Sequence, residues 1–182
     1  MSRPAVFLDR DGTLNVPPEP GGFVTDPRRL RLLPGVGPAL ARLREAGLAL
    51  VVVTNQSCVA RGLATLGDVA AVNRALEAAL EPYGVVLDRI EVCPSLDPDD
   101  PDRKPNPGML LRAAAVLGLD LGRSVTVGDS PRDVEAGRAA GTAAVLLADP
   151  APARTAADAV FPSLAAAVDW ILERTGRPDG EE

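Results

Sequence analysis

The order of elements in this sequence predicts an α/β fold: a doubly wound parallel sheet in three layers, α/β/α, with no separate cap domain. Two observations carry that expectation. Short strand-like runs recur along the chain, at residues 5–8, 48–53, 89–93, 124–127, 143–147 and 159–161. Between them lie stretches whose apolar residues fall at helical spacing, and strand–helix alternation builds βαβ units. A third observation bears on function. The first four runs each lead into polar residues, and a parallel sheet gathers such ends along one edge, where ligands bind in open α/β sheets.

The elements follow in order. Residues 5–8, Ala-Val-Phe-Leu, break off at Asp9. Residues 16–33 are rich in Pro and Gly and read as a loop folded over the mouth of a site. A helix over 34–46 puts Val36, Leu40 and Leu43 on one face, with Gly47 at its C-terminal turn. The run at 48–53 ends in Thr54-Asn55-Gln56-Ser57. Thr65 and Asp68 form a capping box for a helix reaching Leu80, with Val69, Val72 and Leu76 facing inward. Residues 94–105 form a Pro- and Asp-rich loop. Asn106 is expected to cap the next helix, with Pro107 at its first position and Gly118 past its end. The run at 124–127 ends in Gly128-Asp129, and Ser130-Pro131-Arg132-Asp133 opens a helix that closes at Gly141. Ser163 caps a last amphipathic helix carrying Leu164, Val168, Ile171 and Leu172. One domain is expected over 1–175, with an acidic tail at 176–182.

Composition narrows the chemistry. The chain has 182 residues, 46% hydrophobic but only 3% aromatic, so its core must be aliphatic. A net charge of −6 disfavours nucleic acid as the partner. No apolar run reaches membrane-spanning length, and Cys58 and Cys93 make no disulfide framework. A cytoplasmic location and no membrane partner are therefore expected, and a monomer, since no apolar stripe is left without a neighbour. There is no histidine. That removes imidazole bases, Ser-His-Asp triads and imidazole zinc sites, and leaves acid–base work to carboxylates, Lys, Tyr or Cys.

The candidate site starts from Asp9 and Asp11, at the carboxyl end of the first run. Two carboxylates crowded there repel unless a cation or proton intervenes. Mg²⁺ suits carboxylate, carbonyl and water ligands best, and Gly12 lets the backbone turn close to a ligand. A calcium loop opened at Asp9 would need a Glu where the chain has Pro20. Thr54 and Asn55 offer donors for phosphate oxygens, although a strand-end threonine needs no such role. Lys104 sits at a helix start, where a cation is unfavourable unless an anion is present; otherwise it is a solvated lysine. Asp129 is a third strand-end carboxylate, or a turn residue. Asp133 is accounted for by capping alone, with Ser130 as its partner.

These segments resemble, in order, the motifs of the haloacid dehalogenase superfamily: Asp9-x-Asp11-Gly12-Thr13, Thr54-Asn55, Lys104, and Gly128-Asp129-x-x-x-Asp133. The wider strings Val53-Thr54-Asn55-Gln56-Ser57, Ala60-Arg61-Gly62 and Arg103-Lys104-Pro105-Asn106-Pro107-Gly108-Met109 are similar to the branch holding heptose-bisphosphate and histidinol-phosphate phosphatases. The resemblance implies a Rossmann-like fold and a phosphate monoester hydrolase working through a phospho-aspartate. Asp9 would be the nucleophile and Asp11 the acid, then base. Mg²⁺ would be held by the Asp9 and Asp129 carboxylates and the Asp11 carbonyl, with Ser130 and Asp133 behind it. Thr54 and Lys104 would hold the phosphoryl group, and Asn55, Gln56, Arg61 and Arg103 would meet the substrate. That substrate is expected to be a small phosphorylated sugar or metabolite, a heptose bisphosphate foremost, with histidinol phosphate as the alternative. Phosphotransferase, nucleic-acid 3′-phosphatase and non-catalytic binding readings rank below these. The branch usually carries a zinc loop of three Cys and one His before the Arg-Lys pair. Here only Cys93 stands there, so no zinc is expected, and Pro94, Pro98 and Pro101 are expected to stiffen the loop instead.

Overall fold

The computed structural model describes residues 2–19 and 21–176. Its elements are β1 (Ala5–Leu8), α1 (Val36–Glu45), β2 (Ala49–Asn55), α2 (Leu66–Leu80), β3 (Arg89–Cys93), α3 (Gly108–Leu117), β4 (Val125–Gly128), α4 (Pro131–Ala140), β5 (Ala143–Leu147), β6 (Ala159–Phe161) and α5 (Leu164–Gly176). The strands form one sheet in the order β3-β2-β1-β4-β5-β6, every neighbouring pair parallel. β1 lies in the middle, paired on one side with β2 (Phe7 opposite Val51) and on the other with β4 (Phe7 opposite Thr126).

Strand alternation divides the core. Val6 and Leu8, Leu50 and Val52, Val125 and Val127, and Val145 face one side with Leu40 and Leu43 of α1, Val72 and Leu76 of α2, and Val168 and Ile171 of α5. Ala5 and Phe7, with Ala49, Val51 and Val53, face the other side against Met109, Leu110 and Ala113 of α3 and Ala136 of α4. Every residue of β1 and β5 is buried, as a strand covered on both faces requires. Burying one such aliphatic side chain contributes about 1.5–3 kcal/mol.

Local signals set the helix ends. Thr65 and Asp68 close a reciprocal capping box on α2, and Ser130 and Asp133 do so on α4. Gly118 and Gly141 end α3 and α4 at φ 64° and 89°, which side chains other than glycine's disfavour. Ser163 Oγ accepts the Ala166 amide at the start of α5.

Two expectations need correction. Asn106 does not cap α3: Pro107 occupies the cap position with no side-chain bond. The Asn106 amide instead donates to the carbonyls of Pro98 (2.9 Å) and Asp100 (2.8 Å), tying the preceding loop together. Gly176 belongs to α5 rather than to a tail, and 177–182 lie outside the described residues. Among the described residues, no helix is long and apolar enough to cross a membrane.

Candidate active site

The carboxyl ends of β1, β2 and β4 open onto a cavity of about 280 Å³. Asp9, Asp11, Thr54, Asn55, Arg103, Lys104, Asp129, Ser130 and Asp133 all line it. The sheet order explains the gathering. β1 is flanked by β2 and β4, so Asp9 lies between Thr54 and Asp129, and the Asp9 amide still donates to the Val127 carbonyl at 3.0 Å.

Lys104 organises the floor. It is 3% exposed, and its ammonium donates to Asp9 Oδ1 at 2.7 Å and to the Val53 carbonyl at 2.7 Å, and pairs with Asp133 Oδ1 at 2.6 Å. Asn55 fixes its backbone: the Asn55 amide donates to the Lys104 carbonyl (3.0 Å), and Asn55 Oδ1 accepts from the Lys104 amide (3.1 Å). Burial disfavours the ammonium's charge, but Asp133 and Asp9 outweigh it and hold its pKa above the usual lysine value. Burial pushes the Asp9 carboxyl up to about 7; Lys104 pulls the other way, and Asp133 and Asp129 add to the rise. Asp129 is open to solvent, yet partial desolvation within the cavity, with the Asp133 charge adding to it, raises its carboxyl to about 6.

Asp11 is oriented rather than buried. Its Oδ2 accepts from Arg10 (2.9 Å) and Gln56 Nε2 (2.8 Å), and its Oδ1 accepts from Asn15 (2.9 Å). The Arg10 carbonyl collects the amides of Thr13, Leu14 and Asn15, folding residues 10–15 into a tight turn beneath it. Gln56 Nε2 also donates to Thr54 Oγ1 at 2.9 Å, which leaves the threonine proton free for a ligand.

The donor set fits a hard divalent cation. Asp9, Asp129 and Asp133 present oxygens within 4.8 Å of one another. Asp133 spends one oxygen on Lys104 and the other on the Ser130 amide at 3.1 Å. That leaves Oδ2 of Asp9 and the Asp129 carboxylate for a cation. Room for Asp129 comes from Gly12, where a Cβ would lie 2.0 Å from Asp129 Oδ2 and φ is +90°.

Two expected substrate contacts lie elsewhere. Gln56 is fully buried beneath the cavity, and Arg61 is exposed but not on its wall. Asn55 lines the cavity, yet both ends of its amide are spent on Lys104. Gly21, Gly22 and Phe23 bring the 16–33 loop onto the wall, where it was expected, and Ser57 with Pro131 and Arg132 of α4, not singled out beforehand, complete it. Arg10, fully buried, reaches Asn73 of α2 at 2.8 Å as well as Asp11. Its only signal was its place between Asp9 and Asp11 just past a buried strand, since a buried guanidinium needs carboxylate or amide partners.

Comparison with known proteins agrees with this geometry. The profile of the haloacid dehalogenase-like hydrolases matches residues 5–141. A D-glycero-beta-D-manno-heptose-1,7-bisphosphate 7-phosphatase of Mesorhizobium japonicum is 45% identical over 154 residues, 80% of this chain and 70% of that one. The enzyme of that name from Escherichia coli K12 is 37% identical over 94% of this chain and 89% of its own length. A crystal structure of D,D-heptose 1,7-bisphosphate phosphatase from B. bronchiseptica, complexed with magnesium and phosphate, superposes with a TM-score of 0.79 at 37% identity, covering 93% of this chain and 98% of that one. A central strand ending in paired aspartates, a buried lysine between carboxylates and a family match over most of the fold lead to one assignment: the chain belongs to the haloacid dehalogenase-like hydrolases.

Proposed function

We propose that this chain is a magnesium-dependent phosphatase that removes the 7-phosphate of D-glycero-D-manno-heptose 1,7-bisphosphate through a phosphorylated Asp9. The chemistry rests on one observation: a buried ammonium, Lys104, held 2.7 Å from the Asp9 carboxylate on the floor of a cavity. The choice of substrate is supported by relatives of that name at 37–45% identity.

One carboxylate oxygen of Asp9 attacks phosphorus, the ester P–O bond breaks, and Asp11 delivers a proton to the leaving oxygen. Asp11 then takes a proton from water as the water attacks the aspartyl phosphate. The bond from phosphorus to Asp9 breaks, inorganic phosphate leaves, and both carboxyl groups return to their starting states. Lys104 Nζ and Thr54 Oγ1 hold the phosphoryl oxygens, in the way transferring phosphates are stabilised elsewhere. Gln56 aligns Thr54 with Asp11, since it donates to both. Asp9, Asp129 and the Asp11 carbonyl would hold Mg²⁺, which supplies charge neutralisation at the phosphoryl oxygens. A monomer in the cytoplasm is the proposed form, consistent with two free thiols at Cys58 and Cys93 and a small phosphorylated metabolite as partner.

Phosphate release from the heptose bisphosphate with Mg²⁺ tests the reading. The Asp9→Asn variant is expected to lose about 10⁴-fold or more in turnover while its thermal transition persists. A folded native chain that released no phosphate would overturn it.

A further inference from the structure

Arg132 stands on the wall of the catalytic cavity, and among the described residues it pairs with no carboxylate. Arg28 is paired with Asp26, Arg138 with Asp158, and Arg112 with Glu91 and Asp102; among the described arginines without a carboxylate partner, only Arg132 and Arg103 line this cavity. In a chain of net charge −6, an unpaired guanidinium beside an acidic floor gives the cavity mouth a local positive potential that attracts anions.

Its backbone is fixed. Pro131 begins α4, Ser130 Oγ accepts the Arg132 amide at 3.4 Å, and the next residue, Asp133, closes the capping box while gripping Lys104. Arg132 is therefore tied to the floor through one turn of helix. The side chain is exposed along the cavity mouth, where a substrate group beyond the reacting phosphoryl would lie. Arg103 shares the wall and likewise has no carboxylate partner among the described residues; its guanidinium donates to the Ser95 carbonyl. A planar guanidinium matches phosphate in bidentate fashion, which an ammonium cannot do.

We propose that Arg132 binds the phosphate that is not cleaved, and so sets the preference for a bisphosphate over a monophosphate. This deepens the phosphatase reading and rests on it. A second cavity of about 280 Å³ shares Phe23 with the first and carries Arg29 and Arg31, neither of which lines the catalytic cavity. Arg29 thus serves as a control.

The test is the ratio of kcat/KM for heptose 1,7-bisphosphate to that for the matching 7-phosphate, measured with Mg²⁺. In Arg132→Gln the ratio falls about tenfold to a hundredfold, through KM of the bisphosphate, with an unchanged thermal transition. Arg132→Lys restores part of the ratio, because charge returns without the planar fork. Arg29→Gln leaves the ratio as it is. A ratio unmoved in Arg132→Gln, or moved equally in Arg29→Gln, overturns the assignment to Arg132. If the native chain hydrolyses p-nitrophenyl phosphate, that failure touches Arg132 alone; if it hydrolyses no ester, the phosphatase reading falls and this proposal with it.

Discussion

Lys104 and Arg112 each bridge two carboxylates from different elements: Asp9 and Asp133 in one case, Glu91 and Asp102 in the other. Arg112 of α3 meets Glu91 of β3 at 2.6 Å and Asp102 of the 94–105 loop at 2.6 Å, which pins that loop to the sheet. Glu91 feels burial as an opposing force, yet Arg112 and Arg89 outweigh it and hold its carboxyl below the usual range. In this cluster every charge is matched. Around Lys104 a further carboxylate, Asp129, stands close by, and both Asp9 and Asp129 are pushed upward rather than down. Ion-pair counts do not distinguish the clusters. Burial and surplus negative charge do: Lys104 is 3% exposed and Arg112 39%, and only the first group retains a demand for an external cation.

Replacing each cation separates the two most sharply. Lys104→Met leaves buried carboxylates facing one another without their counter-charge. Phosphate release is expected to fall about 10²- to 10³-fold. The metal-free protein should lose about 3–5 kcal/mol in denaturant unfolding. If turnover survived, the floor would not depend on Lys104 at all.

Acidity gives the next largest contrast. Asp9 and Asp129 titrate at about 7 and about 6 when folded, against 3.8 for an ordinary carboxyl. Between these values the folded chain binds more protons than the unfolded one. The metal-free protein should therefore melt higher as pH falls from about 7 towards 4, and lower as pH rises through the same window. Added Mg²⁺ should flatten or reverse that slope above pH 6, because cation and proton compete for the same oxygens. Glu91 acts oppositely, contributing stability above its unfolded value near 4.5 and losing it only in more acid solution. A melting temperature independent of pH in the absence of metal would erase the difference between the two clusters.

The smallest effect belongs to Arg112→Met. Its guanidinium is partly solvated, so the expected loss is about 1 kcal/mol, shrinking as salt is added. Turnover of a small aryl phosphate should stay within about twofold of the native value, since Arg112 touches nothing on the cavity wall.

Much of this was legible in the chain. The strand-like runs at 5–8, 89–93, 143–147 and 159–161 match β1, β3, β5 and β6 to the residue; β1 and β5, covered on both faces, read as continuous apolar stretches, whereas the edge strands β3 and β6 are only partly buried and stand out by their β-branched and aromatic residues between turns. Asp9, Asp11, Lys104 and Asp129 were found because each follows a strand end or precedes a helix, and the sheet order brings them to one cavity. Direction was not legible. Gln56 and Asn55 have the right chemistry for a ligand, but their amides are consumed by Asp11, Thr54 and the Lys104 backbone. Nor could the clamp of Arg112, Glu91 and Asp102 be read, since it joins a helix, a strand and a loop that only tertiary packing brings together. Asn106 failed as a cap because its side chain turns back into the preceding loop, where its amide donates to the Pro98 and Asp100 carbonyls, while Pro107 takes the cap position.

The clearance at Gly12 and Gly128 has a consequence for how such a protein diversifies. A single methyl group at position 12 would meet Asp129 at 2.0 Å, and one at 128 would meet Asp133 at 2.3 Å. The strand ends therefore admit almost no variation without displacing Asp129 or Asp133. Phe23 and Arg103 reach the same hollow from loops, at positions that already accommodate a side chain. New specificities can accumulate along that rim over generations while the reaction beneath it stays frozen.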